Sequence, residues 1–155
     1  MYYKYAPGVT DCIAILAQEN MFEMAQNVHK CLKEKYGDDR FSCHKIPRKI
    51  FNNKELYPNL GSIPIKNKKI FLFHSLRYPT DPNNSLLELE NTIDALARAT
   101  IEDVTLVLPY MCYCRQDRKD KPRVPISFKV IAKMLQMYHP LVARIITMDM
   151  HADQC

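Results

Sequence analysis

The sequence predicts an α/β protein in three layers, with one parallel β-sheet flanked by helices. Continuous apolar runs, which are typical of strands buried on both faces, alternate with segments whose apolar residues recur every three or four positions. Strands that are separated by single helices form a parallel sheet with helices on both of its faces. The 155 residues, 47% of them apolar and 25% charged, suit a single folded domain over residues 1–155.

The first half of the chain predicts one strand, one helix and an irregular segment. The strand is expected at Cys12–Leu16. A helix follows, capped by Asn20 and ended by Gly37, with an apolar face of Phe22, Ala25, Val28 and Leu32. The segment Phe41–Ile70 mixes Pro, Asn and Lys with short extended pieces. We expect it to form a strand or hairpin that projects from the sheet.

The second half predicts three further strands and two helices. The strands are expected at Ile70–His74, Val104–Leu108 and Arg144–Met148. A helix at Ser85–Ala99 follows a loop with two prolines, and its buried stripe consists of Leu86, Leu89, Ile93 and Leu96. Ser127 is the expected cap of the last helix, whose apolar face carries Val130, Ile131, Met134, Leu135 and Tyr138.

The glycines and cysteines exclude several classes of site. Only three glycines occur, and neither GxGxxG nor GxxxxGKS/T is present, so any bound nucleotide must be held by side chains. The six cysteines show no C-x-x-C spacing, which favours reduced structural thiols over a metal or redox site. No apolar stretch has the length of a membrane span or a signal-peptide core, and we therefore expect a cytoplasmic protein without a membrane partner.

A charged loop, Arg115–Arg123, is the strongest candidate for a binding site. It supplies +3 of the net charge of +5, from Arg115, Arg118, Lys119, Lys121 and Arg123 against Asp117 and Asp120. The loop follows an apolar strand, and α/β sheets bind ligands at the carboxyl ends of their strands. Local basicity favours a discrete polyanion such as a nucleoside triphosphate over nucleic acid. A solvated surface loop is the alternative interpretation.

Four segments resemble the family of ribose-phosphate pyrophosphokinases, which are also called phosphoribosyl pyrophosphate synthetases. They read RQDRKDKPRVPISFK (115–129), MDMHADQ (148–154), FNNKE (51–55) and NNSLLELENTIDALARA (83–99). The resemblance implies a type I phosphoribosyltransferase-like fold with a projecting hairpin. It also implies transfer of the β,γ-diphosphate of ATP to ribose 5-phosphate, which yields AMP and phosphoribosyl pyrophosphate.

The resemblance covers only the first of the family's two similar α/β halves. The C-terminal domain, which in the family binds ribose 5-phosphate, is expected to be absent from this chain. We therefore expect the chain to supply the Mg-ATP-binding half of a ribose-phosphate diphosphokinase and to be inactive alone. A non-catalytic regulatory subunit associated with a synthetase is the alternative. Partners implied by the family are further copies, in a dimer-based assembly up to a hexamer, or longer synthetase subunits.

The resemblance also implies roles for individual residues. Arg115 and Gln116 match residues that contact ATP, and Arg115 and His151 are the expected catalytic residues. His151 matches a ligand of the Mg²⁺ cofactor, with Asp149 as the residue that orients it. Asp117 is expected to orient neighbouring basic side chains. Arg118, Lys119 and Lys121 are expected to complete the ATP site. The adenine ring is expected to meet Phe51, Asn53 and Glu55 of the hairpin, supplied to a neighbouring subunit.

Overall fold

A computed structural model describes residues 12–37, 40–77, 79, 81–148 and 150 of the chain. Its main sheet has five parallel strands in the order β2-β1-β5-β6-β7. These strands are β1 (Ile13–Ala17), β2 (Phe41–Lys45), β5 (Lys69–Phe73), β6 (Asp103–Val107) and β7 (Val142–Ile146). A separate antiparallel hairpin consists of β3 (Arg48–Ile50) and β4 (Leu56–Pro58). The predicted parallel α/β fold and the predicted hairpin are both confirmed.

Three helices cover the two faces of the sheet and make the three layers. They are α1 (Phe22–Tyr36), α2 (Pro82–Ala97) and α3 (Ser127–Gln136). Helices α2 and α3 share one core with the side of the sheet that carries Leu16, Leu72 and Leu106. Helix α1 packs on the opposite face, where its Ala25 joins Ile15, Ala17 and Phe73. Alternate residues of each strand therefore enter different cores, as the two-residue period of a strand requires.

Helix α2 begins and packs as its sequence dictates. Asp81 caps it by accepting a hydrogen bond from the backbone N–H of Asn83 at 2.9 Å, and Pro82 occupies the first turn, where its missing N–H costs nothing. The predicted stripe is fully or nearly fully buried at Leu86, Leu89, Ile93 and Leu96. The helix begins three residues before the prediction because Pro82 starts the helix instead of ending the loop.

The prediction is wrong for two helix caps and for two residues that were expected in the core. Asn20 lies inside a short 3-10 turn, Glu19–Met21, so that Met21 takes the position before α1. Ser127 is the first residue of α3 instead of its cap, and Ile126 precedes it. Val28 and Val130 are 37% and 51% exposed, so neither belongs to the buried core. Gly37 does follow the end of α1, with φ of 92°.

Strand β2 was not predicted as part of the main sheet. It pairs with β1 at the edge of the sheet, from Ile13↔Phe41 to Ala17↔Lys45. Four of its five residues are partly buried and Lys45 is exposed, and the sequence FSCHK lacks the apolar run of the central strands. The other strands lie within one residue of their predicted positions except β7, which begins two residues earlier than expected.

The face that carries α1 is only partly covered. A groove of about 520 Å³ lies beside α1, and its lining comes from α1, the strands and the segments after β6 and β7. All of its residues are apolar, among them Met24, Val28, Phe71, Ile146 and Met148. Across the described ranges, no helix is both long and apolar enough to cross a membrane, and the five cysteines described there are free thiols.

Candidate functional site

The charged loop follows the carboxyl end of β6 and leads into α3. Because β6 lies between β5 and β7, the loop emerges beside the segments that follow those two strands. The backbone N–H of Met148, just beyond β7, donates to the carbonyl of Pro109 at 3.3 Å. The segments after β6 and β7 therefore run side by side at the carboxyl edge of the sheet, the edge where α/β sheets bind ligands.

The first part of the loop is held by its own backbone and by two helices. Tyr113 has a positive φ of 61°, and a 3-10 turn at Cys114–Gln116 follows it. The Tyr113 hydroxyl donates to the side-chain oxygen of Asn83 in α2, and the Ser127 hydroxyl of α3 donates to the side-chain oxygen of Gln116. Cys114, the first residue of that turn, is buried. Arg115 therefore projects from a segment that is tied to α2 on one side and to α3 on the other.

Asp117 and Arg118 form a bidentate ion pair within the loop. The Nε and Nη2 atoms of Arg118 lie 3.0 and 2.9 Å from the two carboxylate oxygens of Asp117. The Asp117 side chain is 5% exposed, whereas the Arg118 side chain is 65% exposed. A buried carboxylate that accepts hydrogen bonds from two N–H groups of one guanidinium fixes the plane of that guanidinium. Arg118 thus presents its remaining edge to solvent in a defined direction.

Two cavities meet at Arg115 and Gln116. One, of about 540 Å³, is lined by Arg115, Gln116, Asp117, Arg118, Asp120, Val124 and Pro125. The other, of about 320 Å³, is lined by Leu76, Pro82, Tyr110, Cys112, Tyr113, Arg115 and Gln116. The first is walled mainly by charged groups and the second mainly by apolar ones. Lys119 and Lys121 are exposed in the same loop, as is Arg123, whose φ is 63°.

The hairpin presents its predicted site residues at an exposed turn. The backbone N–H of Phe51 donates to the Glu55 carbonyl at 2.9 Å, and the N–H of Lys54 donates to the Phe51 carbonyl at 2.8 Å. The Asn53 side chain accepts from the N–H of Glu55 at 3.2 Å. Phe51 is 40% exposed, packs edge-on against Tyr57 at 6.2 Å and lies beneath the Lys49 ammonium at 4.9 Å.

The predicted residues fall into two separate groups within one chain. The hairpin follows β2, whereas the charged loop follows β6, and β1 and β5 lie between those strands. Three strand spacings correspond to about 14 Å. Neither of the two cavities lined by Arg115 includes a hairpin residue. The structure therefore brings Arg115, Gln116, Asp117 and Arg118 together, but not with Phe51, Asn53 and Glu55 of the same chain.

The predicted metal ligands lie outside the described residues. Asp149 and His151 follow β7, whose carboxyl end is next to that of β6. In the part of the chain that the structure describes, no group of three His, Cys, Asp or Glu side chains could hold a metal ion. No described residue tests the assignment of Asp149 and His151, so the metal site stays a prediction.

His74 is a buried polar residue at the same edge that the sequence did not single out. It directly follows β5 and is fully buried. Its Nε2 donates a hydrogen bond to the Ser85 carbonyl at 2.7 Å. Burial lowers the pKa of His74 to about 4. The bond to the Ser85 carbonyl opposes this shift, and the positive charge of Arg48 adds slightly to it. His74 is therefore neutral at pH 7 and ties β5 to α2.

Comparison with known proteins identifies a family that matches most of the chain. The model of the N-terminal domain of ribose phosphate pyrophosphokinase matches residues 13–138. A ribose-phosphate pyrophosphokinase of Burkholderia pseudomallei is 40% identical over 135 residues, which are 84% of this chain and 38% of the relative. One of Helicobacter pylori is 44% identical over 90 residues, or 58% of this chain and 27% of the relative.

A solved structure shows the same fold. The phosphoribosylpyrophosphate synthetase of Mycobacterium smegmatis matches with a TM-score of 0.77 and 28% identity, over 92% of this chain and 44% of that chain. The matched part of this chain thus spans 27% and 38% of the two curated relatives and less than half of the solved structure.

Proposed function

Because this chain belongs to the ribose-phosphate pyrophosphokinase family, we propose that it supplies the Mg-ATP-binding half of a ribose-phosphate diphosphokinase. The observation that carries the proposal is the charged loop at the carboxyl edge, where Arg115 and Arg118 border one cavity of about 540 Å³. The full reaction transfers the β,γ-diphosphate of ATP to ribose 5-phosphate and releases AMP. Such a transfer needs the protein mainly to position its reactants and to neutralise charge.

In this proposal the charged loop holds the phosphates of ATP. Arg115 offers a guanidinium that can take two phosphate oxygens at once, and its backbone is held between Asn83 and Ser127 through its neighbours. Arg118, fixed by Asp117, adds positive charge in a set direction. Lys119 and Lys121 raise the local positive potential. Gln116 contacts ATP beside Arg115, with its side-chain oxygen already bonded to Ser127.

We propose that the magnesium ion enters with the nucleotide, as Mg-ATP. Magnesium prefers oxygen ligands and is commonly held by substrate phosphates together with one or two protein groups. His151 is the proposed protein ligand and Asp149 the residue that orients it. Both come a few residues after β7 in the sequence, and β7 pairs with β6, the strand that precedes the charged loop.

The adenine ring is proposed to meet the hairpin of a second copy. Phe51 offers an exposed aromatic face, while Asn53 and Glu55 offer polar groups at the same turn. The two intervening strands support a site shared between copies, because one chain holds its hairpin away from its own charged loop. Ribose 5-phosphate is proposed to bind a second domain, which this chain or a longer synthetase subunit would have to provide.

The experiment is a calorimetric titration of Mg-ATP into the purified chain in its native oligomer. We expect binding, and we expect Arg115→Ala to weaken it about tenfold or more, since it removes a charge-assisted contact to phosphate. Lys30→Ala, which removes an exposed positive charge on α1, is the matched control and should bind normally. A wild-type chain that shows no binding of Mg-ATP contradicts the proposal.

A further inference from the structure

Arg48, the first residue of β3, joins the hairpin to helix α2. Its Nη1 atom lies 3.3 and 3.2 Å from the two carboxylate oxygens of Glu88, a residue 40 positions later. The Glu88 side chain is 3% exposed and the Arg48 side chain is 38% exposed. A carboxylate that is buried so deeply is costly without a counter-charge. The ion pair therefore fixes Arg48 against α2.

The rest of the hairpin is short and is bonded mainly within its own turn and base. Each of its strands has three residues, and an isolated two-stranded sheet is marginally stable. The N–H of Asn59 closes the base by donating to the Pro47 carbonyl at 2.8 Å. A cavity of about 710 Å³, lined by residues from Leu56 to Lys66 and by the C-terminal half of α2, opens beside β4. Packing of β4 against α2 is thus incomplete, and the Arg48–Glu88 pair joins the other strand, β3, to the same helix.

The Arg48–Glu88 pair lies at the base of the hairpin, away from the turn that carries Phe51. Arg48 comes three residues before Phe51, which corresponds to about 10 Å of extended chain. A small rotation of the hairpin about its base therefore displaces the aromatic ring and the polar groups of the turn much further than it displaces Arg48. Reading the edge of a base requires donors and acceptors to be placed within a fraction of an ångström.

We propose that Arg48 and Glu88 are positioning residues that set the direction of the hairpin and thereby the adenine selectivity of the nucleotide site. The inference rests on the proposed function, in which Phe51, Asn53 and Glu55 receive the adenine ring. Neither residue touches the nucleotide. They act through the hairpin, whose exposed turn carries the contacts.

The two partners differ in how they tolerate substitution. Removing Arg48 leaves a buried carboxylate without its counter-charge, which destabilises the whole fold. Glu88→Gln keeps the size of the side chain and leaves Arg48 able to reach solvent, so it loosens the anchor at a smaller cost to folding. Arg48→Lys keeps the charge and loses the guanidinium, and it serves as the conservative variant.

The experiment compares Glu88→Gln, Arg48→Lys and a matched control in the native oligomer. The control is Arg98→Met, which breaks an exposed ion pair between Arg98 and Asp94 on the same helix. Calorimetry measures the affinities of Mg-ATP and Mg-GTP, and hydrogen exchange measures the amides of Phe51 and Lys54, which bond within the hairpin. The ratio of the two affinities isolates base selectivity, because both nucleotides carry the same phosphates.

For Glu88→Gln we expect about a tenfold loss of Mg-ATP affinity. Binding would then have to order roughly one more residue of the hairpin, and the free energy of ordering one residue corresponds to about a tenfold change in affinity. The loss for Mg-GTP should be smaller, so that the preference for ATP falls, and the hairpin amides should exchange faster than in the wild type. Arg48→Lys should fall between wild type and Glu88→Gln. Arg98→Met should match the wild type in all three measurements.

An unchanged ratio of ATP to GTP affinity in Glu88→Gln overturns the proposal. So does an equal loss for both nucleotides with faster exchange throughout the sheet, since that marks a general loss of stability. A wild-type chain that binds neither nucleotide overturns the proposed function and the selectivity part of this inference. In that case, faster exchange confined to the hairpin in Glu88→Gln still supports the anchoring role, and unchanged exchange overturns it.

Discussion

The Tyr113 hydroxyl donates a hydrogen bond to the side-chain oxygen of Asn83, which joins the charged loop to the first turn of α2. We predict that Tyr113→Phe lowers the free energy of unfolding by about 1 kcal/mol, the net contribution of one such bond. Urea unfolding measures this as a lower midpoint with an unchanged slope. Tyr57→Phe, which removes an exposed hydroxyl, is the control and should leave the midpoint unchanged. Equal midpoints for Tyr113→Phe and wild type would contradict the prediction.

Stability is predicted to fall in acid because of His74. Burial lowers its pKa in the folded chain to about 4 from an ordinary value of 6.5, so the folded state favours the neutral ring. The stabilisation is fully present above about pH 6.5 and is lost as the pH falls towards 4, by about 2–3 kcal/mol. Unfolding at pH 7 and at pH 4.5 measures the loss. His74→Gln, which retains a donor for the Ser85 carbonyl, should show a smaller difference between the two pH values, and parallel profiles would refute this role.

Glu90 is predicted to destabilise the fold at neutral pH. Neither of its carboxylate oxygens, both buried, has a hydrogen-bond partner among the described residues, and burial raises the pKa of this carboxyl. A raised pKa means that stability falls as the pH rises above the ordinary value of 4.5. Glu90→Gln should therefore stabilise the chain at pH 7 by on the order of 1 kcal/mol. The gain should shrink at pH 4, and Glu34→Gln at an exposed site is the control.

Two neighbouring leucines of α2 test the assignment of its buried face. Leu89 is fully buried, whereas Leu87 is 58% exposed. Leu89→Ala should cost about 2–5 kcal/mol of unfolding free energy, because it removes buried methyl groups and leaves a cavity. Leu87→Ala should change that free energy by about 0.5 kcal/mol or less. Similar thermal midpoints for the two variants would show that the helix faces the sheet differently.

The sequence predicted the regular elements well where one physical signal dominates. The central strands carry unbroken apolar runs, and α2 repeats leucine and isoleucine at helical spacing, so both were located within a few residues. Strand β2 was missed because Phe41–Lys45 is short and lacks the unbroken apolar run that marks the central strands. The cap of α1 was misplaced because a 3-10 turn comes first, and nothing in the local composition marks that turn.

The charged loop could be located from the sequence, but the contacts that hold it could not. The cluster of charge at Arg115–Arg123 is visible in the sequence, and the loop does follow a buried strand. The bond from Tyr113 to Asn83 joins residues 30 positions apart, and the Arg48–Glu88 pair spans 40. Such contacts depend on how the helices pack on the sheet, and no local pattern specifies them.

The apolar groove beside α1 affects how ligand binding to this chain has to be measured. Dyes that report unfolding fluoresce when they meet apolar surface, and this groove offers about 520 Å³ lined only by apolar side chains in the folded state. A dye-based melting curve should therefore begin from a raised baseline, so that the rise on unfolding is a smaller part of the signal. Intrinsic tyrosine fluorescence or calorimetry avoids that interference and allows a small shift caused by a nucleotide to be seen.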